Sequence, residues 1–281
     1  AANSTYGEIN TWDTSLITDM SALFRGNGTF NGNISGWDVS NVTNMYEMFK
    51  NADDFNQDIT GWDVSSVTRM NVMFYGADDF NQDISSWDVS NVTRIDQMFA
   101  EAPMFNQDIS SWDVSSVTHI GGMFSGADSF NQDISGWDVS STTSLTYMFY
   151  YATSFNQDIS DWDVSGVTNM QATFEGASSF NQDISDWDVS NVTTMAYMFD
   201  DTDALSDDNK CAIHTEFSSN DNWEYDWDEY CSSSSSFQPE DRDELKDAVD
   251  EWIANSTAAN STYGEINTWD TSLITDMSEL F

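Results

Sequence analysis

Apolar and polar positions alternate at the end of the segment Ile59-x-x-Trp62-Asp63-Val64, which places Trp62 and Val64 on one side of an extended chain and Asp63 on the other. The period then changes. Val67, Met70, Met73, Phe74 and Ala77 follow at three- and four-residue steps, the spacing of one helical face. The segment therefore predicts a short strand followed by a short helix. Thr68 precedes that helix, where a hydroxyl serves as N-cap, and Gly76 stands where a left-handed residue would stop it.

This pattern recurs every 25 residues. Trp12, Trp37, Trp62, Trp87, Trp112, Trp137, Trp162 and Trp187 keep the step without exception, each followed by Asp. Phenylalanine columns run from Phe24 to Phe199 and from Phe30 to Phe180, and a threonine column runs from Thr18 to Thr193. A repeat of about 20–29 residues with one strand and one helix belongs to the leucine-rich-repeat class of solenoid. The expected fold is an α/β repeat solenoid, a right-handed array of eight 25-residue units. One unit alone does not bury enough apolar surface to offset the ordering of its backbone. Stacked at the spacing of neighbouring strands, the units would form a rod roughly 40 Å long.

The array is expected to span residues 1–205, with Leu205 where the next Phe would stand. Residues 206–231, rich in aromatics, would form a C-terminal cap pinned by a Cys211–Cys231 disulfide. Residues 232–257 comprise a serine joint and a capping helix over Pro239 to Ile253, with Leu245, Val249, Trp252 and Ile253 on one face. Residues 258–281 repeat residues 1–24 with one difference, Glu279 for Ala22, and read as the start of the next module. The expected partners are therefore further copies of the same module in one chain.

The residues Phe55-Asn56-Gln57-Asp58-Ile59 and Trp62-Asp63-Val64-Ser65-Ser66-Val67-Thr68, followed by Met70, Met73 and Phe74, resemble the BspA-like leucine-rich-repeat surface proteins. The resemblance covers residues 6 to about 205. It implies a secreted or surface-displayed protein with a role in adhesion or surface assembly, and it supplies no ligand.

Composition narrows the partners. Seven Lys and Arg stand against 49 Asp and Glu, a formal charge of −42, so the chain has little to exchange for the counterions of a nucleic acid. No stretch approaches the apolar length of a membrane span. The two cysteines fit an oxidising, extracellular compartment.

The candidate chemistry lies in columns. Asp58, Asp83, Asp108, Asp133, Asp158 and Asp183 form one, and Asp63, Asp88, Asp113, Asp138, Asp163 and Asp188 another. Like charges about 5 Å apart repel by roughly 0.8 kcal/mol in water. Turn hydrogen bonds to the carboxylates, high salt or shared Ca²⁺ would each offset this. Asparagine sequons at Asn3, Asn27, Asn255 and Asn260 suit N-linked glycans. Asn33 fits less well, and Asn41, Asn91 and Asn191 would spend their amides on backbone groups after the strand. His119 and His214 have no nucleophile beside them in sequence, and a uniform ladder offers no unique catalytic cleft, so no enzyme is expected. The expected function is a structural surface or filament protein, the alternative a recognition module binding a partner or calcium-bridged glycan on the acidic strand face.

Overall fold

The computed structural model describes residues 6–232, 238–263, 266, 269 and 271–273. Residues 6–205 form a tandem solenoid around one apolar spine. Ile34, Trp37, Val39, Val42, Met45, Met48, Phe49 and Phe55 are buried in one unit, and their equivalents are buried in the units that follow. Phenylalanine rings stack along the axis: Phe49, Phe74 and Phe99 are separated by 5.5 and 5.8 Å, and within a unit Phe99 lies 3.7 Å from Phe105. Each tryptophan from Trp37 to Trp187 lies beside this stack and donates its indole N–H to an isoleucine carbonyl of the preceding unit, as Trp112 does to Ile84 at 3.1 Å.

The facing of Trp62, Asp63 and Val64 is as the alternation predicts: buried, exposed, buried. The strand-plus-helix unit is not what forms. The inter-unit pairing is a line of isolated parallel bridges, such as Asn44 to Arg69 and Arg69 to Arg94. The expected helix is a chain of turns. Met73 N–H bonds to the Met70 carbonyl and Ala77 N–H to that of Phe74, while the N–H groups of Met70, Val72, Phe74 and Gly76 reach carbonyls of the next unit. A helix would turn those donors back onto itself and leave adjacent units unjoined. Turns preserve the inward three- and four-residue spacing while giving every second N–H to the neighbour.

The threonine column serves the same end. Thr68 donates both its N–H and its hydroxyl to the carbonyl of Thr43, and Thr93, Thr118, Thr168 and Thr193 repeat the contact with the unit before. These hydroxyls join units and cap no helix.

The far end is sealed. Helix α1, Asp207–Phe217, is N-capped by Ser206 and buries Ile213 and Phe217. Trp223, Tyr225 and Trp227 surround the last ring, Phe199, at 6.2, 6.1 and 5.5 Å. Asn220 donates to the carbonyls of Val189 and Val192, satisfying backbone acceptors of the final unit. Cys211 and Cys231 form the disulfide, tying α1 to α2, Asp228–Ser232.

A second cluster lies beyond. Helix α3, Arg242–Ala254, starts at the N-cap Asp241 and not at Pro239, and α4, Ser256–Tyr263, follows it. Leu245, Ala248 and Val249 are buried with Trp269, and Trp252 packs beside them. Ile253 is 62 % exposed, contrary to its expected place on the packed face. At about 100° per residue it falls to the edge of the stripe centred on Leu245, Val249 and Trp252. Of the 232–257 segment the residues 233–237, most of the serine joint, lie outside the described residues, as does most of 258–281.

Candidate functional site: the turn face

The two acidic columns turn out to be turn-forming. Asp83 accepts the Ser85 N–H at 2.9 Å and the Ser85 hydroxyl at 2.7 Å, and Asp88 accepts the corresponding pair from Ser90. The Ser hydroxyl and N–H hold Asp13, Asp38, Asp83, Asp88, Asp108, Asp113, Asp163 and Asp188 below the usual carboxylate range. At Asp58, Asp133 and Asp158 the N–H contributes first. Asp63, Asp138 and Asp183 make the same bond to Ser65, Ser140 and Ser185. Asp133, Asp158 and Asp161 line a shallow cleft of about 220 Å³. Among the described residues, no three His, Cys, Asp or Glu side chains converge to hold a metal ion.

A sign follows for the pH dependence. Lowered folded-state pKa values stabilise the fold fully above the unfolded value of about 4 and lose that contribution as pH falls below it through the lower folded-state values. Asp78 and Glu175, pushed up by burial and by neighbouring carboxylates, act in the opposite sense. The melting temperature is expected to pass a shallow maximum near about pH 5 and to fall steeply below about pH 4. Thermal melts by circular dichroism check this, and replacing Ser85, Ser90 and Ser115 by alanine should flatten the acid limb.

Of the sequon residues, Asn27, Asn33 and Asn255 are exposed, Asn3 lies outside the described residues and so does the side chain of Asn260. Asn41, Asn91 and Asn191 are exposed, yet their amide nitrogens donate to the carbonyls of Ser15, Ser65 and Ser165, each at 2.9 Å. His214 is fixed in the cap, its Nδ1 accepting the Trp223 indole N–H and its Nε2 facing Asp228 at 3.0 Å.

Sequence variation gathers on a different surface, that of the turns. Two columns there are left-handed in every unit. One runs Ala22, Glu47, Val72, Gln97, Gly122, Tyr147, Ala172, Tyr197, and the other Gly26, Asn51, Gly76, Glu101, Gly126, Tyr151, Gly176, Asp201, with φ from 51° to 71°. Large residues occupy every second unit in both. A Cβ on Gly76 would lie 2.6 Å from Asn51, on Gly126 3.0 Å from Glu101, and on Gly176 2.8 Å from the Tyr151 ring. Each large side chain thus lies over the glycine of the following unit. This alternation was readable in the sequence as a 50-residue period, masked by the stricter 25-residue one.

Gly176→Ala should therefore cost more than about 1 kcal/mol, from the left-handed backbone and the Tyr151 ring together. Gly26→Ala, with nothing within 4 Å, should show the backbone cost alone. Urea titration of the two variants separates the contributions.

All four basic residues of the array lie on this face or at its bridge line: Arg25, Lys50, Arg69 and Arg94. Arg25 and Lys50 both pair with the buried Glu47, at 2.6 and 3.0 Å, and Arg69 lies over the Tyr46 ring. Tyrosines follow in the sixth unit, with Tyr147 and Tyr151 each about two-fifths exposed. Glu175, Asp200 and Asp201 come last. The face grades from cationic through aromatic to acidic. Asp78, Glu101, Asp128, Tyr150 and Tyr151 line a cleft of about 390 Å³ at its middle, where rings and carboxylates together suit a cationic group.

The family described as "Mycoplasma protein of unknown function, DUF285" matches residues 1–109, 83–178, 137–223 and 249–281. The chain belongs to this family. The match resumes within α3, so the DUF285 pattern is carried both by the array and by the duplicated segment, as expected for repeated modules in one chain. No curated protein and no solved structure matches. No helix among the described residues of this DUF285 chain is long and apolar enough to cross a membrane.

Proposed function

We propose that this DUF285 chain is a non-catalytic extracellular surface protein, in which a rigid repeat array holds out the turn face for recognition. The observation that carries the reading is where the units differ. Core, indole and Asp-Ser columns are nearly constant, whereas positions such as 25, 50, 75, 100, 125, 150, 175 and 200 run Arg, Lys, Tyr, Ala, Ser, Tyr, Glu, Asp. Solenoids use extended faces of this kind for binding, and exposed tyrosines enrich contact surfaces. A disulfide fits the extracellular setting, and the resemblance to BspA-like surface proteins supports adhesion as the purpose. Recognition is thereby moved from the acidic columns, whose carboxylates are engaged by serines, to the turns.

The test is a binding screen of the folded chain against immobilised extracellular proteins and glycans. Tyr147→Ala, as Ala22 and Ala172 stand in the same left-handed column, with Tyr150→Ser and Tyr151→Asn should abolish the strongest interaction with the fold intact. Asp83→Asn and Asp108→Asn, or a chelator, should leave it unchanged. Loss with the aspartate variants or the chelator, and none with the tyrosine variants, would return the site to the acidic columns and restore Ca²⁺ as a component.

A further inference from the structure

The turn face is complementary to itself. Mirrored about a point between residues 100 and 125, its outer column sets Arg25 opposite Asp200, Lys50 opposite Glu175 and Tyr75 opposite Tyr150. Arg25 and Asp200 are exposed and the other four half-buried. Arg25 and Lys50 share a single acid, Glu47, which leaves one positive charge over. No Lys or Arg lies between Arg94 and Lys210, and Glu175 is pushed up by burial and by Asp200 and Asp201. One stretch of the face thus has a cation to spare, and another lacks one.

Bulk is mirrored as well. In the left-handed column Asn51, Glu101 and Tyr151 fall opposite Gly176, Gly126 and Gly76, so a large side chain meets a glycine each time. Two residues further on, the exposed Asp53, Asp78 and Asp128 fall opposite Ser178, Thr153 and Pro103, so no acid meets an acid there. One unit of slip in either direction loses both properties. It sets Asp78 against Asp128 or Asp53 against Asp203, and Glu101 against its own counterpart or against Tyr151. Like charges brought together in this way penalise the wrong register. Along the spine Phe49, Phe74 and Phe99 lie within 1° of parallel, so units stack with little rotation and two faces can oppose over several of them.

We propose that the partner of the turn face is a second copy of this chain, laid antiparallel across it about a twofold axis that passes between residues 100 and 125. The inference rests on the reading of the turn face as a recognition surface. An isologous pair of this kind makes each contact twice, Lys50 to Glu175 and Glu175 to Lys50. Lys50 already lies 5.0 Å from the Tyr75 ring, and Tyr150 and Glu175 of the second copy would close on that cation from the other side. A face about 40 Å long and roughly 15 Å wide buries on the order of 600 Å² per molecule, the low end for a specific interface, so the pair should be reversible. At about 0.15 M salt the Debye length is about 8 Å, and charges in contact then outweigh the repulsion between two acidic chains.

Sedimentation velocity and crosslinking at about 100 µM chain and about 0.15 M salt test it. The unaltered chain should show a reversible dimer. Lys50→Glu and, separately, Glu175→Lys put like charges in contact twice over and should each weaken the dimer at least about tenfold, whereas an equimolar mixture of the two should restore it, because both contacts then join opposite charges. In the otherwise unaltered chain, Tyr75→Cys on one molecule and Tyr150→Cys on another, mixed with a short bismaleimide, should give a heterodimer at least about tenfold above either homodimer and above a Gly61→Cys control, since like positions are three units, about 15 Å, apart along the pair. A dimer that both charge variants leave intact overturns the proposal, as do homodimer crosslinks in excess and a heterodimer yield equal to the control. If a charge variant melts well below the unaltered chain, the crosslink decides. A chain that fails to pair yet binds in the screen above overturns self-recognition and leaves the turn-face reading standing. Failure of both removes the two together.

Discussion

Replacing Phe105 by alanine is expected to destabilise the array by about 3–5 kcal/mol. The ring is fully buried, 3.7 Å from Phe99 and 6.0 and 6.1 Å from Phe80 and Phe130 along the stack. Its removal opens a void that the flanking rings cannot close, because Phe80 and Phe130 are held by turns of their own units, to Ala77 and Ala127, and Phe99 is bonded to Met123 of the next. Repeat arrays gain stability between adjacent units, so the damage should also divide the molecule. Urea unfolding of the variant should resolve two transitions, one for the units before residue 105 and one for the capped units after it. A single transition shifted by less than about 1 kcal/mol would mean that the rings do not form a shared spine.

Removing the disulfide, by Cys211→Ser together with Cys231→Ser, is expected to cost about 3 kcal/mol, for a sequence separation of 20 residues. The loss should start at the C-terminal end. Phe199 depends on Trp223, Tyr225 and Trp227, and Tyr225 in turn accepts the Phe199 N–H and donates to Asp200. With the cap loosened, hydrogen exchange should rise first in residues 174–205 and spread inward, while residues 37–100 keep their protection. Uniform exchange along the array, or none beyond that of the intact protein, would show that the cap contributes nothing to the end unit.

Period, spine and cap were legible because each rests on side chains with one dominant role. A tryptophan every 25 residues has to be buried, and an aromatic-rich segment after the last unit has to cover it. The local backbone was not legible. Val67, Met70, Met73, Phe74 and Ala77 carry helical spacing, yet the N–H groups of Met70, Val72, Phe74 and Gly76 serve the next unit, a demand that no single repeat reveals. The thirteen-atom ring of a helix lost to a ladder that exists only in the stack. Thr68 was misplaced for the same reason, since its acceptor, the Thr43 carbonyl, is 25 residues away. The candidate site was visible as letters and hidden as a surface. Tyr151 and Glu101 differ from their column mates in sequence, and Tyr150 from all of its own but Tyr75, but only the left-handed turns show that they share one cleft.

The pairing of Asn51 with Gly76, Glu101 with Gly126 and Tyr151 with Gly176 sets the increment by which such an array can lengthen or shorten during evolution. Duplicating a unit that carries the large residue, or deleting one that carries the glycine, would bring one large side chain against another where a glycine is required, and the converse changes would leave glycine facing glycine. Gain or loss of two units preserves the alternation at both junctions. Recombination among the near-identical repeats should therefore leave viable descendants that differ in length by 50 residues, with the identity of each exposed pair free to change as it is copied.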